Sequence, residues 1–300
     1  MKNLILLCCL SASIAFMTKA TADSPLQIAR LDTADQQAAS TGADIWQALK
    51  PGRLKLRSAA ALVVDNAGNE VYAKQENDPM PIASITKLMT AMVVLDGDLA
   101  MQEKITITKA DRDLIQLTGS RLEYGARLSR EELLKLALMA SENRAANALA
   151  RSWPGGSEVF IAAMNRKAKS LHMQSSRFTD PAGLDAGNVA SARDLVKMVH
   201  AAMRYPFIRK ATTTRSISVR PYKKRGELRY VNTNRLLKNE AWEIQLSKTG
   251  YLNEAGRCLA MQAEIIDRPL TIVLLNSFGK LTPIGDSNRI RKWIEGGFDG

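Results

Sequence analysis

A serine and a lysine three residues apart could form a nucleophile and its base. Ser84 and Lys87 have this spacing, which on a helix places both side chains on one face, about 5 to 6 Å apart at Cβ. The amine can take the hydroxyl proton if burial or a nearby cation lowers its pKa. Ser277 and Lys280 repeat the spacing, however, and the pattern more often marks a helix cap followed by a surface lysine.

The first pair stands where a helix is expected to begin. Pro79 and Pro81 precede it, and apolar residues follow at helical spacing up to Asp96. A helix start offers unpaired backbone N–H groups and the positive end of the helix dipole, which would stabilise an oxyanion beside Ser84. The second pair follows a strand-like run and contains Gly279, so it lacks this helix start.

Two later segments supply a second hydroxyl, an amide and a second amine. Ser141 and Asn143 interrupt an otherwise helical stretch, from which both could reach the cleft of the first pair. Lys248 ends a predicted strand in which Ile244 and Leu246 have the same parity, so we expect the three side chains to share one face. Singly, these residues fit a capped helix break and an exposed strand end. Together with the first pair they predict an active-site serine acyltransferase.

The elements that must position these residues are helices between two sets of strands. Strands are predicted at residues 59–64, 71–72, 217–219, 244–249, 258–265 and 270–275. Helices are predicted at residues 43–49, 84–96, 130–139, 157–171, 191–203 and 284–294, with a further helix between Asn143 and Pro154. Because strands at both ends flank a helical middle, we predict an α/β fold with one sheet built from both chain termini and covered by helices.

The composition is that of a folded, exported protein. Of 300 residues, 46% are apolar and 24% charged, which excludes a disordered or collagen-like chain. Residues 1–22 have the pattern of a secretory signal peptide, with cleavage after Ala22. Residues 23–56 are predicted to be a polar lead-in, and residues 57–300 the catalytic domain. Processing leaves Cys258 as the single cysteine, which excludes an internal disulfide, and with two histidines a His-rich zinc site is not expected.

The chain is basic, with a formal net charge of +12, which suits an anionic partner such as envelope polymer, lipid headgroups or nucleic acid. One segment concentrates the charge in Arg215, Arg220, Lys223, Lys224, Arg225 and Arg229. We interpret it as a solvated hairpin face that helps to hold the protein near an anionic wall polymer. No nucleic-acid motif accompanies it, and only 5% of residues are aromatic, which argues against base stacking. A non-catalytic wall-binding module is the alternative to an enzyme.

From about Ala59 to Ile294 the chain resembles the low-molecular-mass penicillin-binding proteins. Four segments carry the resemblance: Pro81 to Ala91, Met139 to Ala146, Thr179 to Leu184 and Gln245 to Tyr251. It implies a fold of the β-lactamase and DD-peptidase type, with an antiparallel sheet and a helical subdomain. It also implies a periplasmic enzyme without cofactor or metal, with peptidoglycan peptide cross-links as substrate and β-lactam antibiotics as covalent inhibitors.

The resemblance also implies roles for the catalytic residues. Ser84 would attack the carbonyl carbon of a D-Ala residue, and Lys87 would accept the hydroxyl proton. Ser141 would relay a proton to the departing amine. These three residues form the predicted catalytic set.

The substrate-binding residues follow from the same resemblance. Asn143 would hold a substrate amide, and Lys248 with Thr249 would bind the substrate carboxylate, for which a point-charge cation is suited. Gly250 would let an extended peptide approach the strand edge. The backbone N–H groups of Tyr251 and of the nucleophile would form the oxyanion hole.

Within this family the resemblance favours a serine DD-endopeptidase that cuts cross-links. The alternative is a DD-carboxypeptidase that trims a terminal D-Ala. Members outside the endopeptidase subgroup often continue into a β-rich C-terminal domain with a membrane anchor, so the end of this chain after its last predicted helix favours an endopeptidase without a stable anchor. A β-lactamase is less expected, because Asp180 to Leu184 stand where class A enzymes have a Glu-x-x-Leu-Asn loop with a deacylating glutamate. Penicillin should then acylate Ser84 and remain bound.

Overall fold

The computed structural model describes residues 45–298. Its strands are β1 (Ser58–Asp65), β2 (Glu70–Lys74), β3 (Met80–Pro81), β4 (Lys104–Thr106), β5 (Arg127–Ser129), β6 (Val189–Ala190), β7 (Ser216–Val219), β8 (Leu228–Val231), β9 (Glu243–Leu252), β10 (Gly256–Ile265) and β11 (Arg268–Ser277). Its α-helices are α1 (Lys87–Asp96), α2 (Arg130–Met139), α3 (Asn143–Arg151), α4 (Gly156–Ser170), α5 (Ala192–Ala202), α6 (Pro206–Thr213) and α7 (Thr282–Phe298). Short 3-10 helices span Pro51–Arg53, Ala83–Thr86, Lys109–Asp111 and Arg235–Lys238. The predicted signal peptide and residues 23–44 of the predicted lead-in lie outside the described residues.

Strands from both ends of this region build one five-stranded sheet, in the order β2-β1-β11-β10-β9. β1 pairs antiparallel with β11, from Ser58 opposite Ser277 to Asp65 opposite Leu270. The neighbouring pairs, β1 with β2, β10 with β11 and β9 with β10, are antiparallel as well. The predicted α/β fold, with an antiparallel sheet built from both termini and covered by helices, is therefore confirmed.

The sheet separates two hydrophobic clusters. Ala60 and Leu62 of β1 lie in a large cluster that also contains apolar residues of helices α1 to α6. Ala61 and Val63, which point to the other face, lie in a smaller cluster with α7. Since both faces are covered, the sequence of β1 is an almost continuous apolar run rather than an alternating one.

The helices begin and end close to their predicted bounds. Ser129 caps α2 by accepting a hydrogen bond from the N–H of Glu132, whose carboxylate accepts one from the N–H of Ser129. Helix α6 was not predicted; it begins at Pro206, which suits a first helical turn because proline has no N–H to leave unpaired. Strands β3 to β6 are two or three residues long, too short to show a period in the sequence. Within residues 45–298, no helix has the length and hydropathy needed to cross a bilayer.

Part of the predicted lead-in packs on the sheet. Residues 45–47 are helical, and Trp46, Leu49, Leu54 and Leu56 are buried in the smaller cluster. The Trp46 indole N–H donates a hydrogen bond of 2.8 Å to Asp65 at the end of β1. The polar composition of residues 23–56 concealed these apolar residues, which attach residues 45–56 to the sheet through the smaller cluster.

Strand β9 corrects one prediction about side-chain direction. Leu246 and Lys248 do lie on the same face, but Ile244 packs with the cluster on the other face. The pairing register of β9 and β10 shifts between Gln262 and Ala263, and the extra residue in β9 reverses the parity of everything before Leu246. The expectation that Ile244 shares one face with Leu246 and Lys248 is therefore wrong.

Candidate active site

The three motif segments meet in one cleft. The predicted site residues that line it are Ser84, Ser141, Asn143, Thr249, Gly250 and Tyr251. The two predicted lysines, Lys87 and Lys248, are 0% and 1% exposed and reach the lining residues by hydrogen bonds. The structure thus brings together every residue that the sequence singled out for the site.

Ser84 lies on a 3-10 turn rather than on the α-helix itself. Residues Ala83–Thr86 form the 3-10 helix, and α1 begins at Lys87. Ala83 has a φ of 47°, a left-handed conformation that costs a residue with a Cβ roughly 1 kcal/mol or more. The prediction that a helix begins near Ser84 holds, but its first turn is tighter than expected and the residue before the serine is strained.

Lys87 is buried among three oxygen atoms. Its Nζ lies 2.8 Å from Ser84 Oγ, 2.7 Å from Asn143 Oδ1 and 2.6 Å from the carbonyl oxygen of Ala182. Burial lowers the pKa of Lys87 to about 7, and the negative charges of Asp180, Glu142 and Asp113 oppose that shift only in part. A substantial fraction of this lysine is therefore a neutral amine near pH 7, as its predicted role requires.

A hydrogen-bonded chain orients the amide of Asn143. The Thr118 hydroxyl donates to the Asp113 carboxylate at 2.6 Å, and the Asn143 Nδ2 group donates to Thr118 Oγ1 at 2.9 Å. Because a carboxylate can only accept, Thr118 must donate to Asp113 and the amide nitrogen of Asn143 must donate to Thr118. The carbonyl oxygen of Asn143 therefore points towards Lys87.

Asp113 is suited to anchor that chain. Burial raises the pKa of Asp113, but hydrogen bonds from the Thr118 side chain and from the N–H groups of Thr118, Gln116 and Ile115 outweigh it, so its pKa lies below the usual value. Sequence reasoning missed both Asp113 and Thr118. Their loop has no periodic or motif pattern, and the only local signal is an aspartate followed by residues able to turn back onto it.

Ser141 and Lys248 form the second hydroxyl and amine pair. Lys248 Nζ donates to Ser141 Oγ at 3.0 Å and to the carbonyl oxygen of Thr249 at 2.8 Å. Burial, reinforced by the positive charge of Lys87, lowers the pKa of Lys248 well below its usual value. Ser141 has a φ of 58°, so strained backbone occurs on both sides of the cleft, at Ser141 and at Ala83.

Two glycines allow distant segments of the chain to pack closely against the turn that carries Ser84. A methyl group at Gly250 would lie 2.9 Å from the carbonyl oxygen of Ile82 and 3.1 Å from the backbone N of Ser84. At Gly183, which has a φ of 73°, a methyl group would lie 1.9 Å from the carbonyl oxygen of Ala83. Gly250 therefore brings β9 against the serine-bearing turn, a different reason from the predicted approach of a substrate peptide.

The cleft also contains residues that the sequence did not point to. Thr233 Oγ1 lies 2.7 Å from Thr249 Oγ1, and Arg235, Arg257 and Lys280 add positive charge to the lining. Ala182, whose carbonyl oxygen binds Lys87, lies within a segment that carried the family resemblance but had no role assigned to it. These residues come from loops, a strand end and a short 3-10 helix, where spacing alone shows no function.

Comparisons with known proteins agree with this geometry. A family pattern described as D-alanyl-D-alanine carboxypeptidase matches residues 47–279. The D-alanyl-D-alanine endopeptidase of Pseudomonas aeruginosa is 44% identical over 248 residues, which cover 82% of this chain and 80% of that protein. The Escherichia coli protein of the same name is 43% identical over 244 residues, which cover 81% of this chain and 79% of its own.

Solved structures show the same fold. The crystal structure of a Streptomyces DD-transpeptidase superposes with a TM-score of 0.75 at 26% identity, over 81% of this chain and 98% of that one. The D-alanyl-D-alanine carboxypeptidase of Mycobacterium tuberculosis superposes with a TM-score of 0.71 at 28% identity, over 80% of this chain and 91% of that one. From the family pattern, the closely similar relatives and the shared fold, we conclude that the chain belongs to the D-alanyl-D-alanine carboxypeptidase family of serine peptidases.

Proposed function

We propose that the protein is a serine DD-endopeptidase that hydrolyses D-alanyl cross-links of peptidoglycan through an acyl-enzyme on Ser84. The observation that carries the proposal is the 2.8 Å approach of Lys87 Nζ to Ser84 Oγ, with the amine fully buried. The relatives in Pseudomonas aeruginosa and Escherichia coli named D-alanyl-D-alanine endopeptidase support the choice of bond.

The hydrogen-bond partners of Lys87 explain how the amine can act as a base. A neutral amine has two hydrogens and one lone pair. The carbonyl oxygens of Asn143 and Ala182 can only accept, so they take the two hydrogens. The lone pair is then left for the third neighbour, the hydroxyl of Ser84, which donates its proton to Nζ.

Acylation exchanges one bond and moves one proton. Ser84 Oγ bonds to the carbonyl carbon of D-Ala while its proton passes to Lys87 Nζ. The carbonyl oxygen becomes an oxyanion, held by the N–H groups of Ser84 and Tyr251; one such donor is typically worth roughly 10²- to 10³-fold in rate. As the C–N bond breaks, the departing nitrogen takes the proton of the Ser141 hydroxyl, and the proton held on Lys87 Nζ passes to Ser141 Oγ, so both side chains return to their starting protonation states. Water then adds to the acyl carbon while one of its protons passes to Lys87 Nζ, and Ser84 Oγ leaves with that proton, so the product is a free carboxylic acid and the enzyme returns to its starting state.

The substrate is held beside these groups. Asn143 presents an amide to the cleft, and Lys248 with Thr249 lies in the middle of β9, which continues beyond the predicted strand end to Leu252; there the carboxylate beside the scissile bond would bind. Because Lys248 is buried and Thr249 is only half-buried, the Thr249 hydroxyl would meet the carboxylate first. β-Lactams, which mimic the acyl donor, are proposed to acylate Ser84 and to leave slowly, since no glutamate stands in the loop from Asp180 to Leu184.

Digestion of purified muropeptides tests the choice of bond. The protein is incubated with cross-linked dimers and, separately, with uncross-linked pentapeptides. The products are identified by mass spectrometry. Release of monomers from dimers supports the endopeptidase, and the Ser84→Ala protein should release none. Loss of a single alanine from pentapeptides, with dimers intact, would instead support a carboxypeptidase, the activity in the name of the Mycobacterium tuberculosis relative.

We further propose a periplasmic location after cleavage near Ala22, with the β7–β8 hairpin holding the enzyme near anionic peptidoglycan. Lys223 and Lys224 at the tip of this hairpin are exposed, whereas Arg220 and Arg225 form ion pairs with Glu227 and Glu123. Neutralising Lys223 and Lys224 should weaken sacculus binding at low salt. Unchanged binding at low and moderate salt would contradict the role of the hairpin.

A further inference from the structure

The lining of the cleft carries positive charge that no acidic residue of the described region balances there. Arg235, Arg257 and Lys280 line the same cleft as Ser84, and no acidic residue of the described region lines it with them. None of the ion pairs within residues 45–298 includes these three side chains. Cations gathered in a cleft without carboxylate partners repel one another and attract an anion.

Arg257 is held by an aromatic ring. Its guanidinium lies 3.9 Å from the centroid of the Tyr251 ring, and the two residues are opposite each other in the β9–β10 pair. The Tyr251 hydroxyl in turn donates to Asn253 at 2.9 Å. Stacking restrains the plane of the guanidinium and leaves its N–H edge free to bind a carboxylate through two hydrogen bonds.

Arg235 is held by the start of a short helix. It begins the 3-10 helix Arg235–Lys238, which is capped by the buried Asn234 through a 3.0 Å hydrogen bond from the N–H of Leu236. The preceding Thr233 bonds to Thr249. The backbone that carries Arg235 is therefore connected through Thr233 to Thr249 of β9, next to the position proposed for the carboxylate at the scissile bond.

We infer that Arg235 and Arg257, with Lys280 at the rim, form a second carboxylate subsite for the leaving stem peptide of a cross-link. The inference rests on the proposed function. A terminal D-Ala leaves with one carboxylate, for which Lys248 and Thr249 suffice, whereas a leaving stem peptide brings further carboxylates. A second subsite would favour cross-links over terminal D-Ala residues by binding what only cross-links possess.

Peptide binding to the Ser84→Ala protein tests the subsite without turnover. One ligand is a cross-linked muropeptide dimer. The other ligand is the same dimer with a modified leaving stem. Its carboxylate beside the scissile bond is kept, and each of its other carboxylates is replaced by an uncharged carboxamide. Dissociation constants are measured by calorimetry before and after the pair of changes Arg235→Gln and Arg257→Gln. The matched control replaces Arg166 and Lys169, which are exposed on α4 and do not line the cleft, with Gln.

The charged dimer should bind about tenfold or more weakly after the arginine changes, as expected for a lost hydrogen bond between charged groups. The affinity for the carboxamide dimer should fall less than about twofold, and the Arg166 and Lys169 control should leave both affinities unchanged. Equal losses for the two dimers would show that the arginines only support the fold, and no loss for either would show that they bind no carboxylate. Both outcomes would overturn the inference.

The proposed function and the subsite fail in distinguishable ways. If the protein with Ser84 intact releases no monomers from dimers, the endopeptidase assignment is wrong. The binding comparison still decides the subsite, because it depends on affinity for the leaving stem and not on cleavage.

Discussion

Ser84 with Lys87, and Ser277 with Lys280, have one spacing and two different surroundings. Lys87 is fully buried and its Nζ lies 2.8 Å from Ser84 Oγ. Ser277 ends strand β11, where its Oγ lies 2.7 Å from the Oγ of Ser58, and Lys280 follows as an exposed side chain. Ser84 faces an amine, whereas Ser277 lies opposite Ser58 at one end of the β1–β11 pair.

The contrast shows what converts a spacing into chemistry. A helical turn brings the side chains of residues three apart to one face, whereas Gly279, with a φ of 85°, turns the chain away after Ser277. Burial then supplies the base, because it lowers the pKa of Lys87 to about 7. Four predictions test this contrast, from the largest expected effect to the smallest.

Replacement of the two serines should have opposite consequences. Ser84→Ala should abolish covalent labelling by penicillin, because no hydroxyl remains beside the buried amine. Ser277→Ala should retain labelling and lower the free energy of unfolding by about 1 kcal/mol, the typical worth of one buried hydrogen bond. Fluorescent penicillin on a gel and urea unfolding measure the two effects. Labelling of the Ser84→Ala protein would overturn the assignment of the nucleophile.

Replacement of the two lysines should also have unequal consequences, with the larger loss of acylation rate at Lys87. Lys87→Met keeps a side chain of similar length but removes the base, so the rate constant of acylation by penicillin should fall roughly 10²- to 10⁴-fold. Lys280→Met removes an exposed charge of the proposed subsite for a leaving stem, which penicillin lacks, so the rate constant of acylation by penicillin should fall less than about fivefold. Stopped-flow acylation gives both values. A comparable loss in the two proteins would mean that Lys87 acts only through its charge.

Replacing the glycine near each pair with alanine should lower the free energy of unfolding by different amounts. Gly183→Ala places a methyl group 1.9 Å from the carbonyl oxygen of Ala83, so we expect a loss of more than about 3 kcal/mol of unfolding free energy, together with weaker labelling. Gly279→Ala meets only Thr282 Oγ1 at 3.3 Å, and its positive φ should cost about 1 kcal/mol. Similar stabilities for the two variants, measured by urea unfolding, would contradict the close packing at Ala83.

Loss of the hydroxyl that orients Asn143 should have the smallest effect. Thr118→Val removes the hydrogen bond to Asn143 and the one to Asp113. The rate constant of acylation should fall about fivefold, equivalent to about 1 kcal/mol. Thr213→Val, which removes a hydroxyl from the exposed end of α6, serves as the control. If both variants retain the full rate, the chain from Asp113 to Asn143 does not position the base.

Sequence reasoning predicted the fold and the members of the site where the residues repeat or match a motif. The apolar run of β1, the helical spacing of apolar residues in α1 and the capping box at Ser129 depend on neighbours in sequence and were therefore visible. Three motifs located the two serines, the two lysines and Asn143, which the structure brings into one cleft.

What the sequence could not show depends on contacts between distant segments. The carbonyl oxygen of Ala182 and the hydroxyl of Thr118 reach the site from loops, where their identity carries no pattern. The bulge in β9, which turns Ile244 to the other face, arises from pairing with β10 and not from the sequence of β9 alone. Gly250 was noticed, but the turn that requires it lies far away in the chain.

The pH dependence of acylation tests most directly the claim that a neutral amine on Lys87 primes Ser84. Because the pKa of Lys87 is about 7, the neutral fraction grows with pH, and the rate constant of acylation by penicillin should rise about tenfold per pH unit below 7 and level off by about pH 8. A rate constant that stays constant between about pH 5 and pH 9, or that falls as the pH rises, would contradict the account.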